Sequence, residues 1–275
     1  ARWSRSVIRL IEGFVAWLPV AFLLLLVTLF AGKGHIFPWM HETITIPEKA
    51  LWLDPTFFTI RGIAVFGIIT ALSIWYIYTS VRVDVGLLPK WGASWAKGIR
   101  EGMRRGFRDE RREMHSTHSL QGRLAVFLAL AFGFGWTVLA WDLSMSMDYH
   151  FQSTMFGWQV FMGGWLVMLM VFSLLLRWWR DFLGAGDVIT DAHFHDVGKL
   201  CFAFTAFWGY LTFSQFLVIW YGNWAKETHY LRLMLISPWT KLSVSVAFLV
   251  FGAPFFGLLG KAPKLYLPTM AFFAG

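Results

Sequence analysis

Long apolar runs alternate with short polar connections along the chain. A helix needs about 20 mainly apolar residues to cross the hydrocarbon core of a bilayer. Six runs approach or reach that length, at residues 14–30, 57–80, 124–141, 155–176, 200–220 and 242–260. A seventh begins near Leu265 and meets the end of the sequence at Gly275, too early to cross. The pattern predicts an all-α, polytopic transmembrane helix bundle with six complete spans and a truncated seventh.

Composition supports the same fold class. The 275 residues are 57% hydrophobic and 15% charged, whereas soluble domains carry about 25% charged residues. The net charge of +8 does not indicate nucleic-acid binding, because the cations lie between apolar runs and form no basic face. With Cys201 as the single cysteine and no CxxCH motif, we expect this chain to hold no metal, iron–sulfur cluster or covalent haem.

Lysine and arginine concentrate in alternate connections, above all in the polar stretch 84–119. Because cytoplasmic loops carry the excess of positive charge, we expect this basic loop to be cytoplasmic. Its segment 91–113 mixes both signs of charge, which predicts a short amphipathic helix on the inner membrane surface. The alternatives are a loop that only sets the topology and a docking surface for a partner. On the opposite side, Trp39 and Trp52 are typical of an aromatic belt at the membrane interface.

Ionisable residues near span ends are costly in lipid and are therefore functional candidates. The outer cluster, at the turn between the third and fourth spans, consists of Asp142, Asp148 and His150. Carboxylate and imidazole groups placed together can accept protons from a quinol hydroxyl or pass them along a relay. The alternative is that both aspartates face water as helix-end and loop residues.

The inner cluster runs from Arg180 to Leu200, up to the start of the fifth span. It contains four aspartates, two histidines and a lysine, at Asp181, Asp187, Asp191, Asp196, His193, His195 and Lys199. His195 and Lys199 are four residues apart and share a helix face, and Asp196 can pair with Lys199. We interpret the cluster either as the cytoplasmic mouth of a proton path or as a solvated loop with a snorkelling lysine.

The fifth span carries Thr205, Thr212 and Gln215 at helical spacing. Such a polar stripe either joins helices by hydrogen bonds or links the inner cluster to the outer one.

Three stretches of the chain, at 5–41, 141–165 and 195–228, together resemble a known family. It is the ActF family of membrane proteins from bacterial alternative complex III, a quinol:cytochrome c oxidoreductase. ActF proteins are relatives of the NrfD-like polysulfide-reductase membrane anchors. The last stretch is the most specific, with His-Asp-x-Gly-Lys-Leu at 195–200, Phe-Ser-Gln-Phe at 213–216 and Trp-Tyr-x-Asn at 220–223.

The resemblance implies ten spans in two four-helix bundles with flanking helices, in the bacterial inner (plasma) membrane. Residues 1–182 would then form the first bundle, with the basic loop 84–119, and 183–275 part of the second. The sequence would be a fragment of the family's length.

The resemblance also implies partners. They are a second, homologous NrfD-like membrane protein, multihaem and monohaem cytochromes c, an iron–sulfur protein and small helical proteins. These partners would carry the c-type haems and iron–sulfur clusters.

The resemblance leaves two functions open, and whether the chain takes part in catalysis is open with them. In the first, it is a proton-conducting or structural component beside a homologous quinol-binding partner. The path would then run through His195, Asp196, Lys199, Thr212, Gln215, Asp142, Asp148 and His150. In the second, the chain itself binds quinol at the outer face through Asp148 and His150. A quinol site requires an apolar slot beside that pair, whereas a proton path requires polar groups that continue inward.

A stand-alone transporter is a weaker third possibility. Transporters with inverted repeats contain paired short spans broken by glycine or proline, and the sequence shows no such pair.

Overall fold

The predicted helical architecture is confirmed. The computed structural model describes residues 6–42, 44, 46–88, 93–107 and 109–274, and within these ranges the chain forms helices and connecting loops without a strand. Six helices are long and apolar enough to cross a membrane. The helices are α1 (Ile8–Ile36), α2 (Pro47–Trp52), α3 (Pro55–Leu87), α4 (Lys97–Arg104), α5 (Glu110–Leu143), α6 (Phe156–Phe182), α7 (Asp191–Gly222), α8 (Ala225–Leu235), α9 (Trp239–Gly257), α10 (Lys261–Leu265) and α11 (Leu267–Ala274).

The helices that are long and apolar enough to cross a membrane are α1, α3, α5, α6, α7 and α9, and each overlaps one of the six predicted runs. Helix α7 extends past its apolar run and is capped at both ends. At its start the backbone N–H of Thr190 donates to Nδ1 of His193 at 3.1 Å. Asn223, with φ of 46°, ends this helix in the left-handed conformation that asparagine tolerates. The seventh span remains a prediction, since α11 has eight residues.

The basic loop differs from the prediction of one helix over 91–113. Helix α4 covers only Lys97–Arg104, and residues 89–92 and 108 lie outside the described part of the chain. Gly106 has φ of +78°, a conformation that a right-handed helix cannot contain. The chain therefore breaks after α4 and starts α5 at Glu110.

The chain divides into two compact units. The second unit contains Phe14–Gly32 and Thr56–Trp136, and within it Phe22 stacks on Phe66 with ring centroids 6.0 Å apart. The first unit contains the chain up to Gly13, Lys33–Pro55 and everything from Thr137 onwards. The predicted boundary at residue 182 between two bundles remains a prediction.

An antiparallel pair, α6 and α7, is the centre of the first unit. Its buried side chains include Phe172 and Leu176 of α6 and Cys201 of α7. At one end of the pair, the Arg177 guanidinium lies 4.4 Å from the ring centroid of Phe194. The pair thus provides a packed frame whose two ends hold the candidate sites described below.

Close packing at Gly157 provides a stability test. A Cβ atom there would lie 2.6 Å from Cγ2 and 3.0 Å from Cα of Thr137, so Gly157→Ala forces α6 away from backbone atoms. We expect a loss of about 1–3 kcal/mol in the free energy of unfolding, measured by thermal unfolding in detergent. Gly122→Ala in α5, where a Cβ meets nothing within 4 Å, is the matched control. It should stabilise by about 0.5–1 kcal/mol through helix propensity, and equal destabilisation by both variants would contradict the packing argument.

Candidate functional site

A cavity of about 680 Å³ lies in the first unit beside helix α2, between the end of α5, the loop that leads to α6, and the last turns of α7. We name it the α2 cavity. Its lining is mainly apolar and aromatic. The lining residues are Lys49, Trp52, Leu53, Trp141, Met145, Ser146, Tyr149, Phe151, Gln152, Ser153, Thr154, Met155, Gln215, Val218 and Ile219. Its volume is within the range of small-molecule sites, about 300–1,000 Å³.

Helix α2 forms one wall of the cavity because two side chains fix it to distant parts of the chain. The Nζ atom of Lys49 donates to the backbone carbonyls of Tyr149 at 2.5 Å and Phe151 at 3.1 Å. The indole Nε1 of Trp52 donates to Oδ1 of Asp142 at 2.9 Å. Burial lowers the pKa of Lys49 from its ordinary value, and the nearby charge of Asp148 opposes this shift.

The loop that follows α5 is held from its other side as well. Trp39 Nε1 donates to Oγ of Ser146 at 3.3 Å, and Ser146 Oγ donates to the backbone carbonyl of Asp142. Phe151 stacks on Tyr230 with ring centroids 4.0 Å apart. Burial raises the pKa of Tyr230, and the charge of Asp148 raises it further. The cavity wall is therefore ordered by indole and hydroxyl donors and by aromatic stacking.

The structure places the predicted outer cluster around this loop. Asp142 is 1% exposed and accepts from Trp52. Asp148 Oδ1 accepts from the backbone N–H of His150 at 3.0 Å and lies 3.7 Å from its Nδ1. Asp148 and His150 are thus a close pair. Asp142, Asp148 and His150 do not line the cavity. Tyr149, which lies between Asp148 and His150 in the sequence, does line it.

Two cavity-lining residues carry buried polar atoms without a hydrogen-bond partner within the described ranges. They are Nε1 of Trp141, a donor, and Oε1 of Gln215, an acceptor. A buried polar atom left without a partner costs about 1–3 kcal/mol. Both residues line the cavity, so a ligand there lies beside the two side chains that carry these atoms.

The polar stripe of α7 runs from this cavity toward the other end of the helix. Gln159 Nε2 of α6 donates to Oγ1 of Thr212 at 3.1 Å, and Thr212 Oγ1 donates to the carbonyl of Trp208 at 2.9 Å. Thr205 is fully buried, seven residues from Thr212 and therefore about 10 Å along the helix axis. The stripe joins α6 to α7 at Thr212, and its hydroxyls are too far apart to contact each other.

The predicted inner cluster lies at the start of α7. Lys199 Nζ and Asp196 Oδ1 form the expected ion pair at 2.6 Å, and Nδ1 of His195 is buried without a hydrogen-bond partner in the described part of the protein. Helix α7 thus carries a charged cluster at its first turns and a cavity at its last.

Sequence reasoning missed Lys49, Trp141 and Tyr230, and treated Trp52 as a membrane-interface residue. Their partners are far away in the sequence, so no local pattern reveals them. A signal was present for Lys49, a cation directly before the apolar segment 50–53.

The bond between Trp52 and Asp142 provides a second test. Trp52→Phe removes the indole donor and leaves a buried carboxylate with one partner fewer, so we expect a loss of about 1–3 kcal/mol in the free energy of unfolding. Trp95→Phe, at an indole that is 81% exposed, is the control. Thermal unfolding of both variants in detergent distinguishes the two positions, and equal melting temperatures would show that the bond is not structural.

Comparison with known proteins adds no assignment to this geometry: no protein-family model matches the sequence, and no curated protein matches it.

Proposed function

We propose that this chain is a membrane component of a quinol:electron-acceptor oxidoreductase and that the α2 cavity binds the quinol head group. The observation that carries the proposal is the mainly apolar α2 cavity, whose lining includes two residues with unsatisfied polar atoms, Trp141 Nε1 and Gln215 Oε1. A phenolic hydroxyl accepts one hydrogen bond and donates another. A quinol head group therefore matches both atoms, and its ring matches the apolar remainder of the lining.

The quinol alternative is supported more strongly than a purely proton-conducting role. An apolar slot beside Asp148 and His150 is what a quinol site requires, and the α2 cavity is lined by Tyr149, which lies between these two residues. Oxidation of a quinol releases two electrons and two protons. The Asp148–His150 pair is a candidate proton acceptor beside the cavity, and the electrons pass to redox centres on partner proteins, as the resemblance implies.

The wider assignment follows the same resemblance to alternative complex III. The chain belongs in a bacterial plasma membrane with loop 84–119 on the cytoplasmic side. Its partners are a homologous NrfD-like membrane protein, multihaem and monohaem cytochromes c, an iron–sulfur protein and small helical proteins. The six membrane-spanning helices are consistent with this placement.

Variants at the two unsatisfied atoms test quinol binding. Gln215→Leu and Trp141→Phe each remove one hydrogen bond to the head group, so we expect the Kd of a short-tailed quinol analogue to rise about tenfold, equivalent to about 1.4 kcal/mol. The measurement is quenching of intrinsic tryptophan fluorescence in the purified protein.

Matched controls are Gln121→Leu and Trp136→Phe, because neither residue lines the cavity and Trp136 Nε1 is equally buried and unpaired within the described residues. An unchanged Kd in both cavity variants, or an equal rise in the controls, would contradict a head-group site in the α2 cavity.

Proton conduction is the second candidate, and two observations favour it. The ion pair of Asp196 and Lys199 lies at one end of α7, and the hydrogen bond between Gln159 and Thr212 leads to Gln215 at the other. Hydroxyl groups about 10 Å apart along the helix would need bridging waters. The path would begin at the ion pair and end near Asp142.

Replacement of the ion pair tests this path in proteoliposomes that contain the purified complex. In Asp196→Asn combined with Lys199→Met, we expect proton translocation to fall while the electron-transfer rate is retained. The double variant removes the charged groups at the entrance of the path and changes no redox centre. Asp187→Asn, an exposed aspartate in the preceding turn, should change neither rate. Proton translocation equal to that of the unmodified protein would exclude this path.

A further inference from the structure

A buried lysine lies at the end of the first unit opposite the α2 cavity. Lys264 in α10 is 7% exposed. Its Nζ lies 5.2 Å from the ring centroid of Phe202 and 3.4 Å from the carbonyl oxygen of Leu259, to which it donates. It has no carboxylate partner within the described residues. A buried ammonium group without a counter-ion is unfavourable, so this position favours an anion from outside the described residues.

The sequence makes room for this lysine. A Cβ atom at position 198 would lie 2.7 Å from Cβ of Lys264, so only glycine lets the lysine stem pack on α7. Arg177 fixes the same segment by donating to the carbonyl of Leu265. Helix α10 is therefore held in place with its lysine against the first turns of α7.

Lys264 is one of three lysines that act on His195. Lys199, Lys264 and Lys261 all lie close enough to act electrostatically on His195, and Asp196 is the one carboxylate that opposes them. We name His195, Lys199, Lys261 and Lys264 the basic cluster. Asp196 pairs with Lys199 at 2.6 Å. Lys261 and Lys264 therefore remain without a carboxylate partner in the described part of the chain.

The basic cluster lies at the ends of two helices that are long and apolar enough to cross a membrane, beside an apolar surface. It is formed by the first turns of the spanning helix α7 and by α10, which follows the end of the spanning helix α9. Positive charge and an apolar groove at this depth match the two parts of a phospholipid. The shallow groove lies in the same segment as Lys261 and Lys264 and is lined by Ala262, Pro263, Leu265, Tyr266 and Thr269.

We propose that the basic cluster binds the phosphate of an anionic phospholipid, with an acyl chain in the groove of α10. The phosphate neutralises Lys264 and Lys261 and can accept from His195, whose Nδ1 has no protein partner within the described residues. This site is separate from the α2 cavity and does not depend on the proposed function.

The test compares spin-labelled phosphatidylglycerol with spin-labelled phosphatidylcholine in vesicles that contain the purified protein. Electron paramagnetic resonance measures the motionally restricted fraction of each lipid. The unmodified protein should prefer phosphatidylglycerol. Because a surface lysine changes anionic-lipid affinity roughly fivefold, Lys261→Gln with Lys264→Gln should remove most of this preference.

The matched control is Arg232→Gln with Lys241→Gln, which removes the same charge from exposed positions away from α10. It should retain more of the preference than the double variant at Lys261 and Lys264 does. A single variant, Lys261→Gln, keeps the test possible if the double variant does not fold, because Lys261 is exposed. This single variant should lower the preference for phosphatidylglycerol about fivefold.

Three outcomes overturn the proposal. One is an unchanged preference in the Lys261 variants, and another is an equal loss in the control. The third is complete displacement of the labelled lipid by inorganic phosphate, which would show a site for free anions.

Discussion

The hydrogen bond from the Trp52 indole to the buried carboxylate of Asp142 is the constraint on which the candidate site depends. It connects a short helix near the start of the chain to the end of α5. Together with Lys49, which donates to two carbonyls of the following loop, it sets the width of the α2 cavity. Without these bonds, helix α2 would not be held to the end of α5 and the following loop, and the α2 cavity would lose one wall.

At both ends of the first unit, a lysine that is buried or half-buried donates to backbone carbonyl oxygens. Lys49 and Lys264 each place an ammonium group on backbone carbonyl oxygens, and Lys264 adds an aromatic face. Neither has a carboxylate within ion-pair distance among the described residues. Carbonyl oxygens carry partial charge only, so both lysines keep a residual positive field. At one end that field lies near Asp148, and at the other it lies near His195.

The spans could be predicted from the sequence because hydrocarbon thickness fixes the length of an apolar run, whatever its neighbours. The ion pair of Asp196 and Lys199 could be predicted for a similar reason, since three residues along a helix bring two side chains together. The break at Gly106 was missed because charge pattern alone does not report a positive φ. The α2 cavity was missed because its walls are formed by residues far apart in sequence, and only tertiary contacts identify them. The sequence places Gln215 in a polar stripe of α7. Its position on the cavity wall could not be predicted, because it depends on which helices and loops pack beside α7.

The separation in sequence between α2 and its contacts has a consequence for biogenesis. Membrane helices are synthesised in chain order, so Lys49 and Trp52 leave the ribosome before Asp142 and Tyr149 exist, and long before Gln215. During this interval a lysine and an indole lie at the membrane surface without their final acceptors, available to insertion factors or lipid head groups. The cavity closes only after α7 has been inserted. Truncated translation products that end before α7 would therefore carry the α2 wall but only part of the cavity lining.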